Sequence, residues 1–242
     1  MLDNLIEAFR DDLNVENYFS YLSFEVAMEN ILNANDKIVL LLGESGSGKS
    51  FLLHLLKHKY PERFILHEDP FMKKTEFLSK YEDELEGKTI LIDEAQLLSS
   101  EMVEYFFKLK EKGNQVVFSM NMEDGKEILK SPLSRKIKKI ILKPLSYEEF
   151  DKYVSSQLMM YQEFDLITKR NLKKIYKLTK GNFRLIKKFM QVALELLDYS
   201  LENSLKYKKI DSCIIEMTSI ELGLVKWHIH LKNLKVFVKR ED

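Results

Sequence analysis

The sequence predicts an α/β fold, a parallel sheet sandwiched by helices, followed by a small all-helical unit and a short C-terminal β-hairpin. Three observations carry this. Up to Pro144, short runs of near-continuous Ile, Leu, Val and Phe alternate with stretches of helical period, the pattern of strands buried on both faces of a parallel sheet. After Pro144 the strand signals stop and helical periodicity takes over. The first apolar run leads straight into a glycine-rich loop and then a helix, the order in which α/β proteins build a site at the carboxyl end of a strand.

The elements follow in order. Ser23 to Asn33 places Phe24, Met28, Ile31 and Leu32 on one helical face, and Lys37 to Leu42 reads as a buried strand ending at Gly43. A helix from Lys49 to Lys59 comes next, then a strand over Arg63 to His67 and a helix over Thr75 to Glu84. Thr89 to Asp93 is a strand, Ser100 to Lys112 a helix, Gln115 to Met120 a strand and Lys138 to Leu142 the last strand of the sheet. Ser146 with Glu149 forms a capping box that opens a helix to about Met160. Further helices are expected over Thr168 to Thr179, Asn182 to Tyr199 and Asp211 to Leu222, with Gly181 as a break. From Val225 to Lys239 the pattern alternates, with Val225, Trp227, Ile229 and Leu231 on one face, and reads as a hairpin. The expected organisation is therefore an α/β domain over 1–144, a helical lid over 145–224 and a tail over 225–242.

With 242 residues, 45% apolar and 31% charged, the chain has enough apolar material for a principal domain and a smaller companion, which excludes disorder and collagen-like architecture. The formal net charge is zero, but residues 1–120 carry 13 basic and 22 acidic side chains against 25 and 16 in 121–242, so the halves stand at −9 and +9. A lone cysteine, Cys213, excludes an internal disulfide and a cysteine metal cluster and suits a reducing compartment. Asp3, Glu7, Asp11 and Asp12 break the pattern of a signal peptide, and no run of about eighteen apolar residues occurs. A cytoplasmic protein is expected, peripheral to a membrane only through a partner.

Gly43-Glu44-Ser45-Gly46-Ser47-Gly48-Lys49-Ser50 is a complete G-x-x-x-x-G-K-S run between strand and helix. Glycines allow a loop whose amides converge on phosphate oxygens, and the helix that follows presents its positive end. Lys49 is placed to neutralise the β and γ phosphates of ATP and Ser50 to ligate magnesium. Forty-four residues on, Thr89-Ile90-Leu91-Ile92 ends in Asp93 and Glu94. There Asp93 suits the magnesium shell and Glu94 the activation of an attacking water. Asn121 closes the next strand and offers an uncharged donor and acceptor near the γ-phosphate, with Ser119 as competitor for that position. Only 6 of the 38 basic residues are arginine. Where lysine is the default cation, a retained arginine points to the planar fork that clamps phosphate, and Arg135 and Arg184 fall at strand and helix starts suited to it.

With these elements in order, the chain resembles the AAA+ ATPases over roughly residues 15 to 225, matching their Walker A, Walker B, sensor 1, arginine-finger and sensor 2 positions. The resemblance implies that Lys49, Ser50, Asp93, Glu94 and Asn121 act within one subunit, that Arg184 senses nucleotide from the lid, and that Arg135, or Lys136 beside it, serves a neighbour's site. Tyr18-Phe19 followed by Ser23 and Ala27 looks like the adenine cradle of these proteins, and Phe51 follows the loop motif. Gly-Glu-Ser-Gly-Ser-Gly-Lys-Ser, Asp93-Glu94-Ala95-Gln96 and Leu142-Lys143-Pro144-Leu145-Ser146 are most similar to the ExeA-type secretion-assembly ATPases and their relatives, the transposition-regulator ATPases.

Two functions from different classes follow. The first is a magnesium-dependent ATPase that forms a homo-oligomer with shared ATP sites and remodels a protein partner of the secretion or DNA-uptake kind. The second is an ATP-controlled DNA-binding regulator, for which residues 169–188, with nine Lys or Arg and no acid, supply the basic surface. A solvated lid face explains the same run. The pairs His54 with His58 and His228 with His230 have metal-compatible spacing but no third ligand nearby, and carry no metal assignment.

Overall fold

A computed structural model of the chain describes residues 2–12, 14–16, 18–34, 38–111, 113–130 and 137–225. In order, the elements are α1 (Asp3–Ala8), α2 (Leu22–Leu32), β1 (Ile38–Gly43), α3 (Lys49–Lys59), β2 (Phe64–His67), α4 (Lys74–Tyr81), β3 (Thr89–Ile92), α5 (Ser100–Glu111), β4 (Gln115–Asn121), α6 (Met122–Lys130), β5 (Ile137–Leu142), α7 (Tyr147–Met160), α8 (Lys169–Thr179), α9 (Phe183–Glu202) and α10 (Ser212–Glu221). They fall into two compact units. One is Asp12–Leu145 with Asn182–Arg184, and the other is Met1–Asp11 with Ser146–Gly181 and Leu185–Asp242.

The first unit is built on a five-stranded sheet of order β2-β3-β4-β1-β5, parallel at every pairing. Gly43 at the end of β1 lies opposite Asn121 of β4 and Leu142 of β5. Ile92 at the end of β3 lies opposite Phe118 of β4 and His67 of β2. All five carboxyl ends therefore open along one edge, where α/β sheets carry their sites.

Alternation along the strands sends Ile38, Leu40, Leu42, Ile90, Ile92, Val116, Phe118 and Met120 into one buried cluster with Phe77 of α4 and Met102, Phe106 and Leu109 of α5. Phe106 meets Phe77 edge-on at 5.1 Å, geometry that adds about 0.5–1.5 kcal/mol to area burial. In α3, Leu52, Leu53, Leu55 and Leu56 are all fully buried, which seats the helix firmly beneath the loop that precedes it. The outer strand β5 carries Lys138 and Lys139, and charge on an edge discourages pairing with another chain.

Two elements were not expected. Helix α6 follows β4 directly, and its Gly125 hides the helical pattern because glycine is a poor helix former. The glycine is required by packing, since a Cβ there would come within 2.3 Å of Leu42 Cδ2. The other is α1. Segment Met1–Asp11 was expected in the α/β domain 1–144, but it groups with the helical unit. Leu2, Leu5 and Phe9 are buried there, the Leu2 amide donates to Asp198 Oδ1 at 3.0 Å, and Phe9 stands edge-on to Tyr153 at 5.8 Å. Three apolar anchors in so short a segment outweigh its acidic character.

In the helical unit the caps lie where the polar residues fall in the sequence. Ser146 Oγ accepts from the Glu149 amide at 3.2 Å and Glu149 Oε2 accepts from the Ser146 amide at 2.8 Å, so the box at the start of α7 is closed. Thr168 caps α8 and Asp211 caps α10, each worth about 1 kcal/mol. Phe150, Val154, Ile175, Ile186, Phe189, Leu194, Leu197 and Ile214 form the apolar interior. The expected hairpin lies, beyond Val225, outside the described residues, as do Arg135 and Lys136.

Candidate active site

The loop between β1 and α3 is shaped by where its glycines stand. A Cβ on Gly43 would run into Ser47 Oγ and lie 3.1 Å from Leu142 O, so a side chain there would force the loop to shift. Gly46 and Gly48 have φ of 75° and 93°, the left-handed region that glycine enters at least cost.

The loop carbonyls are engaged one after another. Glu44 O accepts from the Ser47 amide at 3.1 Å. Ser45 O accepts from Asn182 Nδ2 at 2.7 Å, Gly46 O from the Arg184 amide at 3.1 Å, and Ser47 O from the Tyr21 hydroxyl at 2.9 Å. Because a peptide is planar, holding each carbonyl also sets the direction of the amide that follows it. Asn182 and Tyr21 were not among the expected site residues. The only sequence signals for them are the position of Asn182 two residues before Arg184 and the run of aromatics that contains Tyr18 and Phe19.

Lys49 opens α3 and is only 6% exposed. Its Nζ donates to Gly43 O at 3.1 Å, Glu44 O at 3.0 Å and Asn121 Oδ1 at 3.2 Å. Burial pushes its pKa below the ordinary lysine value; the Glu94 and Asp93 carboxylates act the other way, and Arg184 lowers it further. A cation held partly out of water by backbone carbonyls is poised to exchange those neutral acceptors for an anionic one. Of the two candidates on β4, Asn121 makes the lysine contact. Ser119 lies fully buried within the sheet, its Oγ without a hydrogen-bond partner.

At the end of β3 the Asp93 amide donates to His67 O at 3.1 Å, which continues the strand pairing one residue further. Asp93 Oδ1 accepts from the Glu94 amide at 3.0 Å. Glu94 has φ of 46°, a left-handed conformation costing a side-chain-bearing residue of order 1 kcal/mol, of a kind that recurs at active sites as well as in turns and helix ends. Gln96 Nε2 donates to Glu94 Oε2. Asp93, Glu94 and Ser50 are half-buried.

Phe51 packs against Tyr18 and Phe24, with ring centroids 6.2 and 6.1 Å apart, and Tyr21 stacks on Phe183 at 6.4 Å. Phe19 is half-buried, and Tyr18 and Phe24, the rings against Phe51, also meet each other at 6.0 Å. Ala27 is buried and Ser23 Oγ accepts from the Lys143 amide at 2.8 Å, tying α2 to the end of β5. Arg184 is exposed while its amide holds the loop. His54 pairs with Glu68 at 2.9 Å, and the described residues contain no cluster of three metal-binding side chains. His228 and His230 lie outside the described residues.

Residues 35–151 match the family described as AAA domain. No curated protein matches the sequence. Among solved structures, the chain is similar to the RuvB Holliday junction branch migration motor of Thermotoga maritima, with TM-score 0.58 and 20% identity, covering 89% of this chain and 71% of that one. A point variant of the same Thermotoga maritima RuvB matches with TM-score 0.60 and 20% identity, over 82% and 67%. The Aeropyrum pernix ORC1 protein in complex with DNA matches with TM-score 0.65 and 12% identity, over 90% and 69%. The fold is that of the AAA+ P-loop ATPases. Among the described residues no helix is long and apolar enough to cross a membrane.

Proposed function

We propose that the protein, whose residues 35–151 match the AAA domain family, is a magnesium-dependent ATPase that binds and hydrolyses ATP and uses turnover to remodel a partner assembly, of the secretion or DNA-uptake kind that its sequence resemblance implies. The observation that carries the proposal is the seating of Lys49. It is buried, bonded to the loop carbonyls and Asn121, and placed in the field of Glu94 and Asp93.

On entry of a triphosphate the ammonium transfers its bonds to phosphate oxygens, and the loop amides, set by the engaged carbonyls, donate to the same group. The hydroxyl of Ser50 and the carboxylate of Asp93 are hard oxygen donors that suit a magnesium ion, which when bound neutralises phosphate charge. Glu94 takes the proton of the attacking water, and Asn121 orients the water or the γ-phosphate. The rings about Phe51, with Phe19, offer the apolar surface for adenine, and Arg184 reads the phosphates. Arg135 completes the site of a second copy, and the opposite charge of the two halves of the sequence favours a head-to-tail contact.

The test is steady-state hydrolysis. Glu94→Gln should keep ATP affinity and lose about 10²-fold or more in turnover, whereas Lys49→Ala should lose nucleotide binding itself. Wild-type turnover in Glu94→Gln refutes the assigned base.

A second reading, DNA binding under ATP control, is favoured by a basic surface in the helical unit. Lys169, Arg170, Lys173 and Lys177 of α8 are exposed. The bridge between Ile167 and Ile210, with Asn171 Nδ2 donating to Ile210 O at 3.0 Å, brings the exposed Lys208 and Lys209 to the same end of α8. Duplex affinity measured across salt with and without ATP separates the readings, since each phosphate contact steepens the log–log salt slope by about 0.9. A slope near zero in both states removes the second reading.

A further inference from the structure

Gln96 lies two residues past Glu94, in a turn of 3-10 helix over Ala95–Leu97, and its side chain folds back onto the carboxylate. A carboxylate only accepts, so the pairing settles which end of the amide faces Glu94. Nε2 donates to Oε2, and Oε1 is left pointing away. That Oε1 is buried and has no hydrogen-bond partner. A buried acceptor without a donor costs stability, so an apolar side chain of the same length would suit the packing better than glutamine does. What glutamine adds at this position is its hydrogen bond to Glu94.

The rest of Glu94 is constrained to match. Its backbone is held left-handed at φ 46°, with the amide tied to Asp93 Oδ1 at 3.0 Å. The main chain thus fixes where the side chain starts, and Gln96 fixes where one of its oxygens ends. A base acts on water only within hydrogen-bond reach and in the right orientation, and a freely rotating carboxylate spends most of its time elsewhere.

We propose that Gln96 is the positioning residue for Glu94: by engaging one carboxylate oxygen it holds the second toward the water that attacks ATP. The proposal rests on Glu94 being the base. Gln96 touches no nucleotide in this scheme and acts only through its neighbour.

The test combines stability, kinetics and a double-mutant cycle. Gln96→Met removes both the donor and the orphan acceptor at similar volume, and Gln96→Leu serves as a second apolar variant. Both should keep or raise the thermal midpoint, leave ATP affinity and KM within about twofold, and lower kcat about tenfold, the loss expected for one orienting bond to a charged group. Because the residue acts through Glu94, Glu94→Gln with Gln96→Met should be no slower than Glu94→Gln alone. Unchanged kcat in both apolar variants, with Glu94→Gln slow, overturns the role of Gln96 and leaves the base in place. A multiplicative loss in the double variant, or a kcat loss that tracks a fallen midpoint, overturns it equally. If Glu94→Gln itself turns over at the wild-type rate, the base assignment fails and this inference with it.

Discussion

Replacing Gly46 by alanine tests whether the loop and the Asn182–Arg184 segment are locked together. Three glycines share a left-handed backbone and differ in the space around them. A methyl added at Gly113, φ 89°, would meet nothing within 4 Å; at Gly48, φ 93°, it would meet Tyr21 Oη at 3.8 Å; at Gly46, φ 75°, it would meet Asn182 Oδ1 at 2.7 Å and Arg184 Cβ at 2.8 Å. Gly113→Ala therefore costs only the conformational penalty, about 1–2 kcal/mol. Gly48→Ala adds little beyond that, because 3.8 Å is ordinary contact. Gly46→Ala adds overpacking of about 1–3 kcal/mol, for a total of about 2–5. At about 2–4 °C per kcal/mol for a chain of this size, Gly113→Ala should lower the thermal midpoint by a few degrees and Gly46→Ala by roughly twice as much. Since part of the clash falls on Asn182 and the rest on Arg184 Cβ, Gly46→Ala should cost less, but still more than Gly113→Ala, in an Asn182→Ala background. Equal losses in Gly46→Ala and Gly113→Ala, with no coupling to Asn182, refute the close approach from which the lock is argued.

The other expectations concern charge and assembly. His67 is buried with Nε2 unpartnered, and burial holds its pKa below the ordinary 6.5, with Asp69 opposing and Lys80 adding to the shift. The unfolded chain therefore takes up the proton first, so stability is full above about pH 6.5 and is lost as pH falls toward the lower folded value. Denaturation midpoints between pH 7.5 and 5.5 should fall in the wild type and fall less in His67→Leu. Lys49→Met should abolish ATP binding in a calorimetric titration while leaving the nucleotide-free protein within about 1 kcal/mol of the wild type in a denaturant melt, because the charge it removes is already disfavoured by burial. Arg135→Ala mixed with Lys49→Ala should recover part of the ATPase activity under low-salt assembling conditions. Failure of two folded variants to complement removes the case for a shared site.

The five strands and the helices after Pro144 were legible because each is specified locally: continuous apolar runs, a helical period, and a cap such as Ser146 with Glu149. What was missed had its cause elsewhere in the chain. Helix α6 was hidden by Gly125, whose reason is Leu42 on another strand, and the first eleven residues joined the helical unit through Asp198 and Tyr153, far along the sequence.

The site divides the same way. Lys49, Asp93, Glu94 and Asn121, the residues proposed to meet phosphate, metal and water, could be named because each of those ligands demands a particular side-chain chemistry at a strand end. Tyr21, Asn182 and Gln96 could not, since the first two bond backbone carbonyls and the third bonds a neighbour's carboxylate. Every residue has a carbonyl, so an acceptor of that kind leaves no mark on the sequence. It follows that the residues which set the geometry of this loop are less readable than those proposed to do its chemistry, although each bond they make constrains a group of the loop. The Gly46 contact is the exception that makes the point: there the close approach of Asn182 excludes a side chain, and a distant partner becomes visible as a glycine.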